Sequence, residues 1–515
     1  MPASNRLKPS YALCLALAVT ATLAFPLAFP LIADGPANNW PQWRGPNHVG
    51  SSSTAKDLPV SWSATDNVVW RVKLPSWSAA TPIIWGDYVF ITSAQEGFNE
   101  ALKFEPRGGP GGPRGKRGGP GAGVPGGAAG GEGRQRGPRR AGGPGGSGGP
   151  GGRGGPGGRR GGGPRRNSKP ESNEQTKLFL MALSRKDGSL LWRKEIGDNN
   201  RIYRKQNMVS PSPVTDGNYV WVMTGVGTIT SFDFEGNQQW RRDIQKDYGE
   251  FGLNWGYASS PRLHEGRLYV QVLHGMTTDD PSYVLAIDAA TGETLWKVER
   301  PTDAPHESPD NYATPILVPV EGKLQLVVSG GDYVTGHDIE GGKELWRLGG
   351  FNPTENRANR TISSSVAVGD LVFTSSRSGR PFIGFRAGGN GDITGKREVW
   401  TNNLGADVPT PTTDGKVLYV VNDRGIVVSL DPESGETVWE RQRIEPGTYS
   451  SSPLLADGKI YATSEDGATT VLKAGEEFEI LAVNKLDEYT LSSPVAAGNQ
   501  IFLRTMEHLY CFAKQ

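Results

Sequence analysis

Six histidines, two cysteines and scattered acidic residues are the groups in this 515-residue chain that could grip a metal, attack a carbonyl or move a proton. Their spacing assembles none of these devices. His48, His264, His274, His306, His337 and His508 form no HxH, HExxH or i, i+4 pair, so a metal held from one helix or strand is not encoded. Cys14 and Cys511 stand nearly a chain length apart, which excludes a CxxC redox pair and a zinc knuckle. No GxSxG elbow joins a strand to a helix, since the match GGSGG (145–149) lies in the glycine-rich tract, which opens no helix that could cradle a phosphate. Cys511, within LYCF, reads as a small apolar residue of a strand.

Polar groups gather instead in four loop sequences: NWGYASSP (254–261), HESPDNYATP (306–315), ENRANRTISSS (355–365) and GADVPTP (405–411). If these loops meet, Asn254, Trp255, His306, Asp310, Asn311, Arg357 and Arg360 would make a polar pocket with one aromatic wall. These are the residues a cofactor would meet there, although polar loop residues more often form a solvated rim; no catalytic or metal role is assigned to them.

The elements that must position these loops repeat along the chain. A small or hydroxyl residue, usually Pro, alternating apolar residues and a Gly- or Asp-containing turn recur eight times. The copies are ATPIIWGDYVFIT from Ala80, SPSPVTDGNYVWVM from Ser210, SSPRLHEGRLYVQV from Ser259 and ATPILVPVEGKLQLVV from Ala313. They continue as SSSVAVGDLVFTS from Ser363, PTPTTDGKVLYVV from Pro409, SSPLLADGKIYAT from Ser451 and SSPVAAGNQIFLR from Ser492. Each reads as a β-hairpin, with the turn supplying the residue that tolerates positive φ.

A second half-motif follows most copies. Asp288, Gly292 and Trp296 stand four apart, as do Asp338, Gly342, Trp346 and Asp431, Gly435, Trp439. Trp192, Trp240 and Trp400 close looser versions, and the seventh copy has no Trp. Asp accepts backbone N–H groups, Gly turns the chain, and Trp offers a broad apolar face for a neighbouring unit. Two hairpins per repeat make a four-stranded antiparallel sheet of about 40 to 55 residues, the size of a propeller blade. The expected fold is therefore all-β, an eight-bladed β-propeller spanning 40–515. The eighth copy lacks its fourth strand; NVVWRVKLP, with Trp70, would supply it and close the ring.

AIDAATGETLW, ending at Trp296, resembles the tryptophan-docking motif of PQQ-dependent (pyrroloquinoline-quinone) dehydrogenases and their non-enzymatic relatives. WPQWRGPNHVG (40–50) is similar to the opening of exported bacterial PQQ-like propeller proteins. The resemblance implies blades docked through Trp70, Trp192, Trp240, Trp296, Trp346, Trp400 and Trp439. It concerns residues that hold blades together and implies no activity by itself. Quinone enzymes of this kind need an Asp base and a Ca²⁺ held by acidic and Asn ligands, and the alcohol-oxidising ones add an adjacent Cys-Cys pair, which this chain lacks.

Two further segments bear on place and partners. Arg6 and Lys8 precede an apolar run ending in Ala33, the order of a secretory signal over 1–33, cleaved or kept as an anchor. Between Arg107 and Arg166 the chain holds thirteen Lys or Arg against Glu132 alone, with thirty Gly and nine Pro. Since the whole chain carries +1, this tract of +12 is set in a body of −11. Such a composition cannot bury a core, so 105–170 reads as a disordered insertion within the first blade. It reads first as a solvated, functionally neutral expansion and next as a segment suited to an anionic envelope polymer or membrane surface; without aromatics to stack bases it does not favour nucleic acid. The functional expectation is a non-catalytic, monomeric scaffold in the periplasm or cell envelope, its body outside the membrane. It would bind an envelope protein or polymer through propeller loops and the basic insertion. The alternative is a periplasmic PQQ- and calcium-dependent alcohol or sugar dehydrogenase.

Overall fold

Short apolar runs separated by Gly- and Asp-containing turns can satisfy their backbone groups only by pairing, and here they pair locally, each hairpin with the next. The computed structural model describes residues 38–96, 171–173, 176–203, 205–377 and 379–515. The expected leader, 1–33, and the basic insertion, 105–170, lie outside the described residues. Residues 38–96 and 176–515 form an eight-bladed β-propeller of four-stranded antiparallel blades.

Blade one consists of Ile83–Trp85, Tyr88–Ala94, Leu178–Ser184 and Leu190–Gly197. The next six follow in chain order, their innermost strands beginning at Val214, Arg262, Ile316, Val366, Thr412 and Leu454. Blade eight takes Val495–Ala497, Gln500–Arg504 and His508–Phe512 from one end of the ring and Val68–Lys73 from the other. Trp70 pairs with Cys511 and Val72 with Leu509, so the ring closes as expected, by strand addition. Cys511 is buried in that seam.

The half-motif holds blade to blade. Trp70 Nε1 donates to Arg185 O at 2.9 Å, Trp192 to Phe234 O at 2.7 Å, and Trp240 to Ala289 O at 2.9 Å. Trp296, Trp400 and Trp439 donate to Ile339 O, Pro432 O and Gly475 O at 3.0, 2.8 and 2.8 Å. The ring of Trp70 also covers the α-carbon of Gly188 in the following blade; a Cβ built there would fall 2.7 Å from the indole. Asp288 Oδ1 accepts the N–H groups of Ala290 and Thr291 at 3.0 and 2.8 Å, tightening the turn that presents Gly292 to Trp240.

Blade four departs from this pattern. Trp346 turns inward, donating to Gln325 Oε1 of its own blade at 2.7 Å. Gly336 makes the room, since a Cβ there would sit 2.1 Å from the indole. The lengthened hairpin of blade five then sends Gly391–Asp392 to pair, parallel, with Trp346 and Arg347 on blade four's outer edge. In blade seven Ala482 stands opposite Val471, at the register position the tryptophans take elsewhere.

A second belt runs around the innermost strands. In every copy the residue immediately before the Pro position is Ser or Thr. Thr81 N–H donates to Ser212 Oγ at 3.0 Å, Ser212 N–H to Ser260 Oγ at 2.9 Å, and Ser260 N–H to Thr314 Oγ1 at 3.2 Å. Thr314 passes on to Ser364 at 2.9 Å, Ser364 to Thr410 at 3.0 Å, Thr410 to Ser452 at 2.9 Å, and Ser452 to Ser493 at 2.9 Å. The series stops one step short of closure: Thr81 Oγ1 is buried with no hydrogen-bond partner. The hydroxyl of the repeat is thus the acceptor for a strand that has no sheet partner on its axial side.

Candidate functional site: a one-ended axial cavity

The site begins with the WPQWRGPNHVG segment, which crosses the ring instead of joining one blade. Trp40 exchanges two backbone hydrogen bonds with Ile84 of blade one, at 2.8 and 2.9 Å. Pro41 O accepts from Thr215 N of blade two at 3.0 Å, and Gln42 Oε1 from Leu263 N of blade three at 3.3 Å. Arg44 reaches Pro411 O of blade six at 2.6 Å and Pro453 O of blade seven at 2.8 Å. Ser51 and Ser52 finally run parallel to Leu455 and Ala456. This strap touches five blades and floors the central channel.

Two fully buried cations anchor it. Burial lowers Arg44 to about 9, and its guanidinium is met by carbonyl dipoles with no carboxylate beside it. Arg262, likewise lowered to about 9 by burial, is held against His48 Nδ1. Burial, and then the Arg262 charge, keep His48 well below the usual imidazole range, so it faces the guanidinium as a neutral acceptor.

Above the strap lies a cavity of about 400 Å³. Trp43, half-buried, lies at its base. Because side chains alternate along a strand, blades two to eight each send two residues to the wall, and blade one sends Ala79 alone. One is the belt hydroxyl; the other, two positions earlier, is Ala79, Ser210, Ala258, Tyr312, Ile362, Val408, Ser450 or Leu491 in turn. The mouth carries the charges. Lys205 pairs with Glu465, which also accepts from Ser450 Oγ at 2.5 Å and Tyr489 OH at 2.6 Å. Arg360 lies 3.4 Å from Glu307 and 5.9 Å from the centre of the Trp255 ring. Asp407 is raised to about 6, by burial first and then by the neighbouring Asp423. Asp423 is raised too, although it accepts the N–H groups of Asp407 and Val408 at 2.9 and 3.0 Å.

The seven loop residues singled out from the sequence separate into three groups. Trp255 and Arg360 line the cavity. Asn254, Asp310 and Asn311 lie behind the wall. Asp310 is 0% exposed and accepts the N–H groups of Asn254, Gly275 and Met276 at 2.7, 3.1 and 3.1 Å. Asn311 bonds Ser329 O at 2.6 Å and Gln271 Nε2 at 2.5 Å. Their partners are mostly backbone groups, so they shape loops. His306 and Arg357 are exposed and do not line the cavity. Trp43, Lys205, Asp407 and Asp423 were not singled out. Asp407 falls inside the GADVPTP loop, three residues before the belt hydroxyl of its blade, and counting back from that hydroxyl would have found it.

A family model described as outer membrane protein assembly factor BamB matches residues 177–441 and 391–484. The curated outer membrane protein assembly factor BamB of Alkalilimnicola ehrlichii is 27% identical over 165 residues, 30% of this chain. The chain spans 40% of the length of that relative. Among solved structures, the quinohemoprotein alcohol dehydrogenase of Comamonas testosteroni superposes with a TM-score of 0.57 at 10% identity, covering 93% of this chain and 81% of its own. The quinohemoprotein alcohol dehydrogenase ADHIIG of Pseudomonas putida HK5 gives 0.54 at 10% identity, covering 94% and 81%. These two likenesses concern the fold. Among the described residues no three His, Cys, Asp or Glu side chains converge to hold a cation. Of the two carboxyls at the mouth, Asp423 is already engaged by backbone N–H groups.

Proposed function

Because the chain belongs to the PQQ-like β-propeller family described as outer membrane protein assembly factor BamB, we propose that it is a protein-binding propeller of the cell envelope. It works by presenting surfaces and not by turnover. The observation that carries this reading is the family match itself, which runs over more than half of the chain, through blades one to seven.

The surface supports it. Val69, Leu191, Leu295, Val399 and Val438 are exposed at 38–48%, each one position before a docking tryptophan on an outermost strand. An outermost strand has one unpaired edge, and such edges accept an added strand. Blade four's edge does so within the chain, with Gly391–Asp392. No helix of the described residues is long and apolar enough to cross a membrane.

The test pairs localisation with contact. A tagged full-length chain is expected in the envelope fraction, and a photo-crosslinking residue placed at Leu191 or Leu295 is expected to trap a discrete protein partner. The same residue at Lys186 or Glu436, on turns, should trap little. Incubation with PQQ and Ca²⁺ should yield no dye-linked oxidation of alcohols or sugars. Turnover in that assay, or a cytoplasmic location, overturns the proposal.

A further inference from the structure

The belt hydroxyls have a second side. Ser212, Ser260, Thr314, Ser364, Thr410, Ser452 and Ser493 each use an oxygen lone pair to accept a neighbouring blade's N–H. All seven are 2–6% exposed and all line the axial cavity. A hydroxyl that has accepted still has its proton to give. None of these seven donates to any described group. The wall is therefore a ring of hydrogen-bond donors aimed at a space that this chain does not fill.

The rest of the cavity narrows the ligand. An apolar occupant would strand the seven O–H groups without acceptors, which disfavours it. An anion would meet Asp407 and Asp423 at the mouth, with Lys205 and Arg360 already paired to Glu465 and Glu307. Asp407, by contrast, has no donor on its carboxyl among the described residues, so it is an acceptor awaiting one. Trp43 below, and Trp255, Tyr203 and Tyr312 above, provide apolar faces. The strap closes the far end, so whatever enters comes by its tip and cannot thread through.

From this convergence we infer that the axial cavity is a saccharide-binding site, which takes a neutral oligosaccharide, free or as the end of a longer glycan. Ring hydroxyls of the sugar accept from the belt and donate to Asp407, while a C–H face packs on the Trp43 indole. At about 400 Å³ the cavity lies within the range of small-molecule sites. This inference is independent of the protein partner proposed above, which uses the outer edges.

The probes are cellotriose, maltotriose and tri-N-acetylchitotriose, added to the full chain and followed by saturation-transfer NMR and by quenching of tryptophan fluorescence. At least one should bind with a Kd of roughly 10 μM to 1 mM. Asp407→Ala and Trp43→Leu should each weaken that binding by about fivefold or more without lowering the melting temperature below that of the binding-competent chain, and His306→Ala, on the rim, should leave it unchanged. Retention on the matching insoluble glycan identifies chain ends as the source; binding of the trisaccharide alone identifies a free sugar. No signal from any of the three at about 10 mM with folded protein overturns the inference. So does binding unaffected by both substitutions, or displacement of the sugar by citrate, which would mark the cavity as an anion site.

Discussion

Trp70 and Gly188 stand face to face across the boundary between blade eight and blade one. The indole covers the glycine's α-carbon, and its Nε1 donates to Arg185 O at 2.9 Å. The docking motif is thus a pair of residues in neighbouring blades, each shaped for the other: glycine is there because the tryptophan needs the space, and because φ is +74°.

Gly188→Ala should therefore incur two costs, the left-handed backbone (about 1–2 kcal/mol) and the collision with Trp70. Gly86→Ala incurs only the first, since φ is +56° with nothing within 4 Å of the added Cβ. Urea unfolding should show Gly188→Ala the less stable of the two, by about 1–3 kcal/mol. Equal midpoints would mean that this blade boundary relaxes freely.

The broken belt offers an internal control. Thr314→Val removes the acceptor of Ser260 N–H and should cost about 1–3 kcal/mol. Thr81→Val removes a buried hydroxyl that has no partner and should be neutral or slightly stabilising. Thermal melts of the two variants, side by side, read the difference directly.

Arg44→Met should loosen the strap while leaving the blades paired. Three carbonyls, Val49 O, Pro411 O and Pro453 O, lose their donor together. Hydrogen exchange over residues 40–52 should quicken by about tenfold or more, a local opening of at least about 1.4 kcal/mol, with little change in blade four.

Asp407 makes stability depend on pH. Its folded value, about 6, lies above the ordinary carboxyl value of 3.8. Between these the folded state holds more protons than the unfolded chain, so stability falls as pH rises through the window and the full cost applies above it. Asp407→Asn, which cannot ionise, should match the unsubstituted chain near pH 4 and exceed it above pH 7 by on the order of 2 kcal/mol. Urea midpoints measured from pH 4 to 8 test the sign. A gap that closes towards high pH contradicts it.

The ring was legible in the sequence because each blade restates the hydroxyl and the turn, most add Asp, Gly and Trp, and eight restatements leave little freedom in the count. Trp346 shows the limit. Its spacing from Asp338 and Gly342 equals that of Trp296 from Asp288 and Gly292, yet its Nε1 bonds within its own blade where the next hairpin is lengthened; Gly336 alone does not decide this, since Gly384 stands as close to Trp400, which donates to the next blade. The cavity was harder to read. Loops have no period to say which side chain faces inward, so Asp310 and Asn311, which bond mostly backbone, looked like site residues. Trp43 was hidden for another reason: only the tertiary path of the strap carries it to the axis.

The strap and the closing strand also set the order of events in folding. Arg44 bonds Pro453 and Pro411 across sequence separations of 409 and 367 residues, and Trp70 meets Cys511. Contacts of that range raise the contact order, and the loop-closure entropy they need is spent before they repay it. Seven blades can zip from local hairpins, but the eighth and the floor of the cavity wait for the last strands to arrive. The axial cavity is consequently the last feature to form, and a chain shortened beyond His508 would keep most of its hairpins yet have neither seam nor sealed ring.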